Sequence, residues 1–425
     1  MRIDAAVARS AWALRGVLRL LPRSRLLRWR ERWYASRFRG AARGFSLALG
    51  RERSRAYPPG INVVGYLHAE SGVGEGARST IRAALAAGIP VSAIDFRTGC
   101  PSRMAERLPD GVPTGERHSV TLVHVNMDEV PTVFLELGRD FFERHYTIAF
   151  WNWELPELPA KWAPYAAVFH EIWTPSRFVQ SAVQRVAPVP VAALPFSVEA
   201  PAIRPAPRRD LGLPAEAFVF LTMFDALSIA ERKNPLAAWE AFRRATAAAG
   251  VEACLVVKVV NAGSGHPVLE TLRNEARRNP ALILLEQSLD RDGVTALLAA
   301  CDCFVSLHRA EGFGLPLLEA MALGKPVIAT DWSGNVDFMT GENSLPVRYR
   351  LQTLRESWGP YERGQTWAEP DLDHAASCMR RLVDEPDFAR RLGARARQDA
   401  QTAFSPAAIG AQIRARLREA GEPRI

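Results

Sequence analysis

Two blocks of alternating strand and helix signals, a proline-rich stretch between them and an Arg-rich start predict the fold class. It is α/β: two Rossmann-like parallel-sheet domains facing a central cleft, behind a basic helical N-terminal arm. The length agrees, since 425 residues exceed one ordinary core and suggest two or three domains of about 150 residues each. The expected divisions are an arm over 1–55, a first domain over 56–200, a second over 201–400, and a terminal helix over 401–425 that could cross back to the first.

The composition is that of a globular protein, 48% hydrophobic and 24% charged. The net charge is +8, but residues 1–55 hold fifteen Arg against Asp4, Glu31 and Glu52. The arm is therefore +12 and the remaining 370 residues are −4. A nucleic-acid role would need basic residues beyond the arm, so no nucleic-acid partner is expected. Cys100, Cys254, Cys301, Cys303 and Cys378 are scattered and lack the paired spacing of a zinc site, which points to reduced thiols in a cytosolic setting. No apolar run is long enough to span a bilayer, and Arg9, Arg15 and Arg19 interrupt any signal core.

In the arm, Val7, Ala11, Leu14, Leu18 and Leu21 share one helical face that Pro22 ends. Leu26, Trp29 and Trp33 form a second stripe among arginines. Such a helix suits an anionic membrane surface, on the inner face of a cell membrane, or it packs on the body of the protein. Strands are expected at Ile61–Leu67, Val91–Phe96, Val120–Val125, Tyr146–Trp151 and His170–Pro175, with a helix over Ala77–Ala87 after a Gly-rich turn. Pro188–Pro195 and Pro201–Pro214 read as a linker. The second series has strands at Phe218–Phe224, Ala253–Val260, Leu282–Glu286, Cys303–Leu307 and Val327–Thr330, with helices between them and three more at the end.

The strongest chemical signal follows Cys303–Leu307. A two-glycine turn leads into a helix with Pro316 in its first turn, and Gly324-Lys-Pro326 stops that helix. Glu311 lies in the turn and Glu319 about one helical turn inside, both at the carboxyl end of a sheet where ligands bind. The amides of Gly312, Phe313, Gly314 and Leu315 suit a diphosphate, and carboxylates beside them suit the hydroxyls of a sugar. The alternative is that the glutamates merely favour the positive end of the helix.

The stretch Glu311-Gly-Phe-Gly-Leu-Pro-Leu-Leu-Glu319-Ala-Met-Ala-Leu-Gly-Lys-Pro-Val-Ile-Ala-Thr330 resembles the signature of the retaining GT-B glycosyltransferases of family 4. The resemblance covers roughly 60–420, densely over 218–340. It implies that Glu311 contacts the donor sugar and Glu319 the ribose of a UDP- or GDP-hexose. It implies a metal-independent enzyme, with the nucleotide-sugar as co-substrate and no other cofactor, acting in cell-surface polysaccharide or glycolipid assembly. It also implies that Lys233, with Arg232, neutralises the diphosphate. The family's usual upstream Arg is missing, with Asp225 and Ser228 in that stretch, so Lys258 is a further candidate. Ser333-Gly334-Asn335 also resembles a triplet of some members, which puts Asn335 among the donor contacts.

The resemblance further implies that Gly72 and Gly74, in Ser71-Gly72-Val-Gly74-Glu-Gly76-Ala77, face the donor phosphates. Alone, that turn with Asp95 is also a dinucleotide fingerprint, so an NAD-dependent oxidoreductase or epimerase is the alternative enzyme. A non-catalytic sugar-binding or scaffold protein is the alternative outside enzymology. His124 is either a sugar contact, as the resemblance implies, or a core residue. Trp153 and Glu154 suit a carbohydrate or lipid-linked acceptor, or packing. Asp290-Arg-Asp292 and Asp371-Leu-Asp373 have DxD spacing but sit at helix starts, so no metal site is expected.

Overall fold

The computed structural model describes residues 23–199, 206–247 and 251–422. The arm's first stripe, Val7 to Leu21 with Pro22, lies outside them. Apolar runs such as those of β1 (Ile61–Gly65) and β4 (Tyr146–Phe150) have no polar face to give to water, so they become strands covered on both sides. Both are buried along their whole length. With β2 (Val91–Asp95), β3 (Val120–His124), β5 (Glu171–Thr174) and β6 (Val191–Ala193) they form a parallel sheet in the order β2-β1-β3-β4-β5-β6.

The second domain repeats the plan. Its strands are β7 (Phe218–Asp225), β8 (Ala253–Val260), β9 (Leu282–Leu285), β10 (Cys303–Ser306), β11 (Val327–Thr330) and β12 (Leu345–Val347). They run parallel in the order β12-β11-β10-β7-β8-β9. The strand order reverses between β1 and β3 in one sheet and between β7 and β10 in the other. Connections leave such a point toward opposite faces, and a crevice opens at the carboxyl ends.

Two expectations are corrected, for Pro188–Pro195 and for the Gly-rich segment, and the Pro201–Pro214 linker is seen only in part. The Pro188–Pro195 stretch is not a linker, because it contains β6, the edge of the first sheet. Proline is compatible with an edge, where a missing N–H breaks no ladder, and Pro190 still accepts from Ile172. Of the Pro201–Pro214 stretch, 201–205 lie outside the described residues. The rest is pinned by Arg208, which donates to the carbonyls of Ala215, Ala217 and Ala300 and pairs with Asp302. The Gly-rich segment before Ala77 is not a turn but the start of the helix Gly72–Ala86, capped by Ser71, whose hydroxyl accepts from the Gly74 amide.

Sequence reading also missed an antiparallel hairpin, β13 (Tyr349–Thr353) and β14 (Thr366–Pro370), after the second sheet. Its first strand, Tyr349-Arg350-Leu351-Gln352-Thr353, is wholly exposed and only five residues long, too short an alternation to stand out from the loops around it.

The described part of the arm packs on the first domain. In the helix Arg23–Ala41, Phe38 is buried edge-on against Phe134 and Tyr165, a contribution of about 2 kcal/mol. Arg30 pairs with Glu129. Arg32, Trp33, Arg37 and Arg39 remain exposed, with the Arg37 guanidinium over the Trp33 ring.

At the other end, the helix Pro406–Glu419 returns from the second domain to the helix Gly72–Ala86 of the first. Ile409, Ile413 and Leu417 are buried there, and Arg416 pairs with Glu171 of β5. Contact is closest at Gly410, where a Cβ would stand 2.1 Å from the Ala83 carbonyl oxygen. Gly410→Ala should therefore lower stability by about 1–3 kcal/mol in equilibrium unfolding. An unchanged midpoint would show that the helix does not dock there.

Candidate functional site

The reversal point of the second sheet brings together the loops after β7 and β10. After β7 the chain forms the short helix Ala230–Lys233, and Asn234 in the left-handed region (φ 54°) turns it into the next helix. After β10 comes His308–Gly314, then the helix Leu315–Ala322. The loops are stitched together: the Arg309 amide donates to the Arg232 carbonyl (2.7 Å), and Arg232 Nη1 donates to the Ala310 carbonyl (2.8 Å).

Glu311 is enclosed at this junction, only 7% exposed. Its Oε1 is bonded to Lys233 Nζ and lies 3.3 Å from Arg232 Nη1. Burial alone would raise the carboxyl, but Lys233 and then Arg232 outweigh it and hold Glu311 down at about 2. It is a fixed carboxylate at any physiological pH. The amides of Gly312, Phe313, Gly314 and Leu315 donate to no protein acceptor among the described residues. Unpaired donors at the start of a helix are an anion site in waiting.

A second loop, absent from the usual acid–base accounting, sets this geometry. Ser333, at φ 79° and ψ −141°, accepts the Glu311 amide on its hydroxyl (2.8 Å), and the Gly334 amide donates to the Glu311 carbonyl (2.9 Å). Gly334 fits so closely that a Cβ would fall 2.1 Å from the Gly312 oxygen. Asn335 is wholly buried, and its amide is committed to the Thr330 carbonyl and His308 Nε2. It braces the loop from behind and is not free to meet a donor. From the first domain, the Ser176 hydroxyl donates to the Gly312 carbonyl (2.6 Å). Phe313 is a core ring against Phe196 and Phe338, so it is the backbone of this segment that remains free.

Glu319 has its own cation. It pairs with Arg291, at the start of the helix Arg291–Ala300, so the two glutamates are not partners of each other. Burial raises the Glu319 carboxyl, with Arg291 opposing it. Glu319 and Arg291 line an interdomain cleft of about 1190 Å³, with Glu75, Arg78 and Arg82 across it from the first domain. Sequence reading passed over Arg291 because it saw only the flanking aspartates. The structure shows Asp290 capping that helix through the Gly293 amide, and Asp371 capping another through Asp373 and His374.

The other candidates divide. Lys258 is buried in β8 and donates to the carbonyls of Val259 and Gln287, so its ammonium ties β8 to the loop after β9. Gly74 is required by packing, since a Cβ would stand 2.6 Å from the Ala69 oxygen, whereas Gly72 has open space around it. Asp95 takes a hydrogen bond from Arg97. His124 ends β3 at the first sheet's reversal point, opposite Gly65 of β1. It is stacked on Phe150, and burial pushes it down to about 3, so the ring is neutral. Neither of its nitrogens has a partner among the described residues. Trp153 donates to the Glu157 carbonyl and Glu154 accepts from the Tyr361 hydroxyl. Tyr361, Arg291 and Ser176 escaped sequence reading because their partners are distant in the chain, and Ser333 was read only as part of its triplet with Asn335.

Two parallel-sheet domains whose reversal points meet across a cleft make the GT-B architecture of glycosyltransferases. Solved structures agree on the fold. Sucrose-phosphate synthase of Thermosynechococcus elongatus superposes with a TM-score of 0.61 at 17% identity, covering 86% of this chain and 100% of that one. HepE of Anabaena, in complex with UDP and glucose, gives 0.60 at 14% identity over 85% and 99%. The α,α-trehalose 6-phosphate synthase of Burkholderia multivorans gives 0.59 at 14% over 87% and 100%. Residues 221–352 match the family model described as Glycosyl transferases group 1, which contains Lys233, Glu311 and Glu319. An MMP α-(1→4)-mannosyltransferase of Mycolicibacterium hassiacum is 31% identical over 134 residues. That stretch is 31% of this chain and spans only 28% of the curated relative.

The clamp on Glu311 makes a paired prediction. Gly334→Ala, which drives a methyl into the Gly312 carbonyl, should cost about 1–3 kcal/mol, while Gly72→Ala should change stability by less than about 1 kcal/mol. Thermal unfolding of the two variants side by side checks both, and equal midpoints would refute the clamp.

Proposed function

We propose that the chain is a metal-independent GT-B hexosyltransferase, moving a hexose from a UDP- or GDP-sugar to an acceptor hydroxyl with retention at the anomeric carbon. The observation that carries this reading is the buried, permanently ionised Glu311 beside Lys233, Arg232 and four unpaired amides. A carboxylate suits the sugar's hydroxyls, and the cations and amides suit a diphosphate whose negative charge grows as it leaves. Glu319, one turn on and opening into the cleft with Arg291, suits a ribose diol. Neutral His124, with two uncommitted nitrogens, suits a hydroxyl of the transferred sugar, since a buried polar atom without a partner costs about 1–3 kcal/mol.

Among the described residues no side chain is assigned as a base for the acceptor. Retention then follows from attack on the face the diphosphate leaves: the anomeric C–O bond to the diphosphate breaks, the bond to the acceptor oxygen forms, and the departing oxygen takes the acceptor's proton. Arg32, Trp33, Arg37 and Arg39 are exposed on the arm, which supports a lipid-linked acceptor at an anionic bilayer and work at the cytoplasmic face.

A panel of UDP- and GDP-hexoses is the test. One donor should release its nucleoside diphosphate slowly, at a rate that EDTA leaves unchanged. Glu311→Ala and Lys233→Ala should each lower that rate by about 100-fold or more. If no nucleotide-sugar is bound or turned over, the proposal fails. For the arm, flotation on anionic vesicles should weaken when residues 1–22 are removed and the exposed Arg32, Trp33, Arg37 and Arg39 are replaced by Gln. That variant keeps Phe38 docked, and equal flotation would sink the membrane reading.

A further inference from the structure

The β13–β14 hairpin belongs to the second domain by sequence, but its tip is built against the first. The tip closes through two backbone hydrogen bonds between Trp358 and Tyr361 (2.9 and 3.0 Å). Gly359, at φ +57°, brings it so close to Ile229 that a Cβ would lie 2.8 Å from that side chain. Ile229 immediately precedes the helix that carries Arg232 and Lys233. On its other side the tip meets the first domain: the Tyr361 ring packs on Trp153, with centroids 5.4 Å apart, and Gln365 donates to the Glu157 carbonyl (2.7 Å).

Tyr361 is therefore a buried residue (3% exposed) wedged between the cation pair and the Trp153-Glu154 corner. Its hydroxyl donates to Glu154 Oε2 at 3.0 Å, which fixes that carboxylate in place. The other Glu154 oxygen accepts from no protein donor among the described residues. Glu154 is also near enough to Arg232 and Lys233 for its charge to act on both. Arg232 is itself buried, with an Nε that has no partner among the described residues. The unsatisfied groups of this corner suit a polyol: the open carboxylate oxygen accepts a hydroxyl and Nε donates to one.

We propose that Glu154, held by Tyr361, forms a subsite for a sugar acceptor and binds a hydroxyl next to the one that attacks. The attacking proton is then left to the diphosphate oxygen. Tyr361 is a positioning residue, acting through Glu154, and the hairpin makes the subsite a shared product of both domains. The inference rests on the transferase reading of the same cleft and adds the acceptor's chemistry: a carbohydrate with neighbouring hydroxyls, not a simple alcohol.

The experiment follows donor hydrolysis and transfer to a set of methyl hexosides together, with full-length protein and the donor the panel identifies. Wild type should glycosylate at least one hexoside. Tyr361→Phe keeps the ring on Trp153, and Glu154→Gln keeps the side chain's shape, so both should fold with near-native unfolding midpoints. Each should lower the ratio of transfer to hydrolysis about tenfold, the loss expected for one hydrogen bond to a charged group. The hexoside KM should rise with no matching rise in the donor KM, a split that a general loosening of the fold would not produce. An unchanged ratio in both variants overturns the subsite. So does a wild type that hydrolyses the donor but transfers to no hexoside, and there donor use still stands. A wild type that ignores every nucleotide-sugar removes the transferase reading itself.

Discussion

The site depends on one buried carboxylate. Glu311 cannot be ionised at 7% exposure unless something compensates its lost hydration, and Lys233 and Arg232 supply that compensation from the neighbouring loop. Such an ion cluster adds little net stability, because desolvation offsets most of the attraction. Its contribution is geometric. Losing any member leaves a buried charge unmatched, so the loops after β7 and β10 must close on each other in one arrangement. The unpaired amides at Gly312–Leu315 are then held at a fixed place relative to the cations. Ser333 and Gly334 enforce the same arrangement from behind, through the backbone of Glu311 and not its charge.

The sequence was legible wherever function and local order coincide. The strand, two-glycine turn, helix and stop around Glu311 lie within some twenty-eight residues of the chain, and each step has its own local cause. Lys233 came from the family resemblance, and the structure sets it on Glu311. The parallel strands were found because their apolar runs are buried on both faces. Asp290 and Asp371 were correctly placed as caps because capping is decided within three residues.

What escaped was decided across the fold. Arg291 looks like any helix-start cation until Glu319 is brought beside it, and Lys258 looks available until β9's loop supplies a second carbonyl. Gly72 and Gly74 look equivalent in the chain, but only Gly74 is pressed against backbone oxygens. Pro188–Pro195 resembled a linker because proline marks both linkers and sheet edges. The arm carried both a surface-binding pattern and a packing one, and the described helix answers with Phe38 turned inward and its arginines outward. No pattern in the chain announces Tyr361, whose partner is 207 positions away.

The returning helix Pro406–Glu419 has a mechanical consequence. The chain passes from first domain to second beyond Val198 and comes back at Phe404, and the two crossings are bonded to each other, the Val198 amide donating to the Phe404 carbonyl at 2.7 Å. Two adjacent crossings define a single axle. Residues from both, Val198 and Ser405 among them, line the floor of the large cleft. Such a pairing favours a hinge about that point over a sliding of one domain past the other. A ligand entering the open edge would always find the same faces opposite each other.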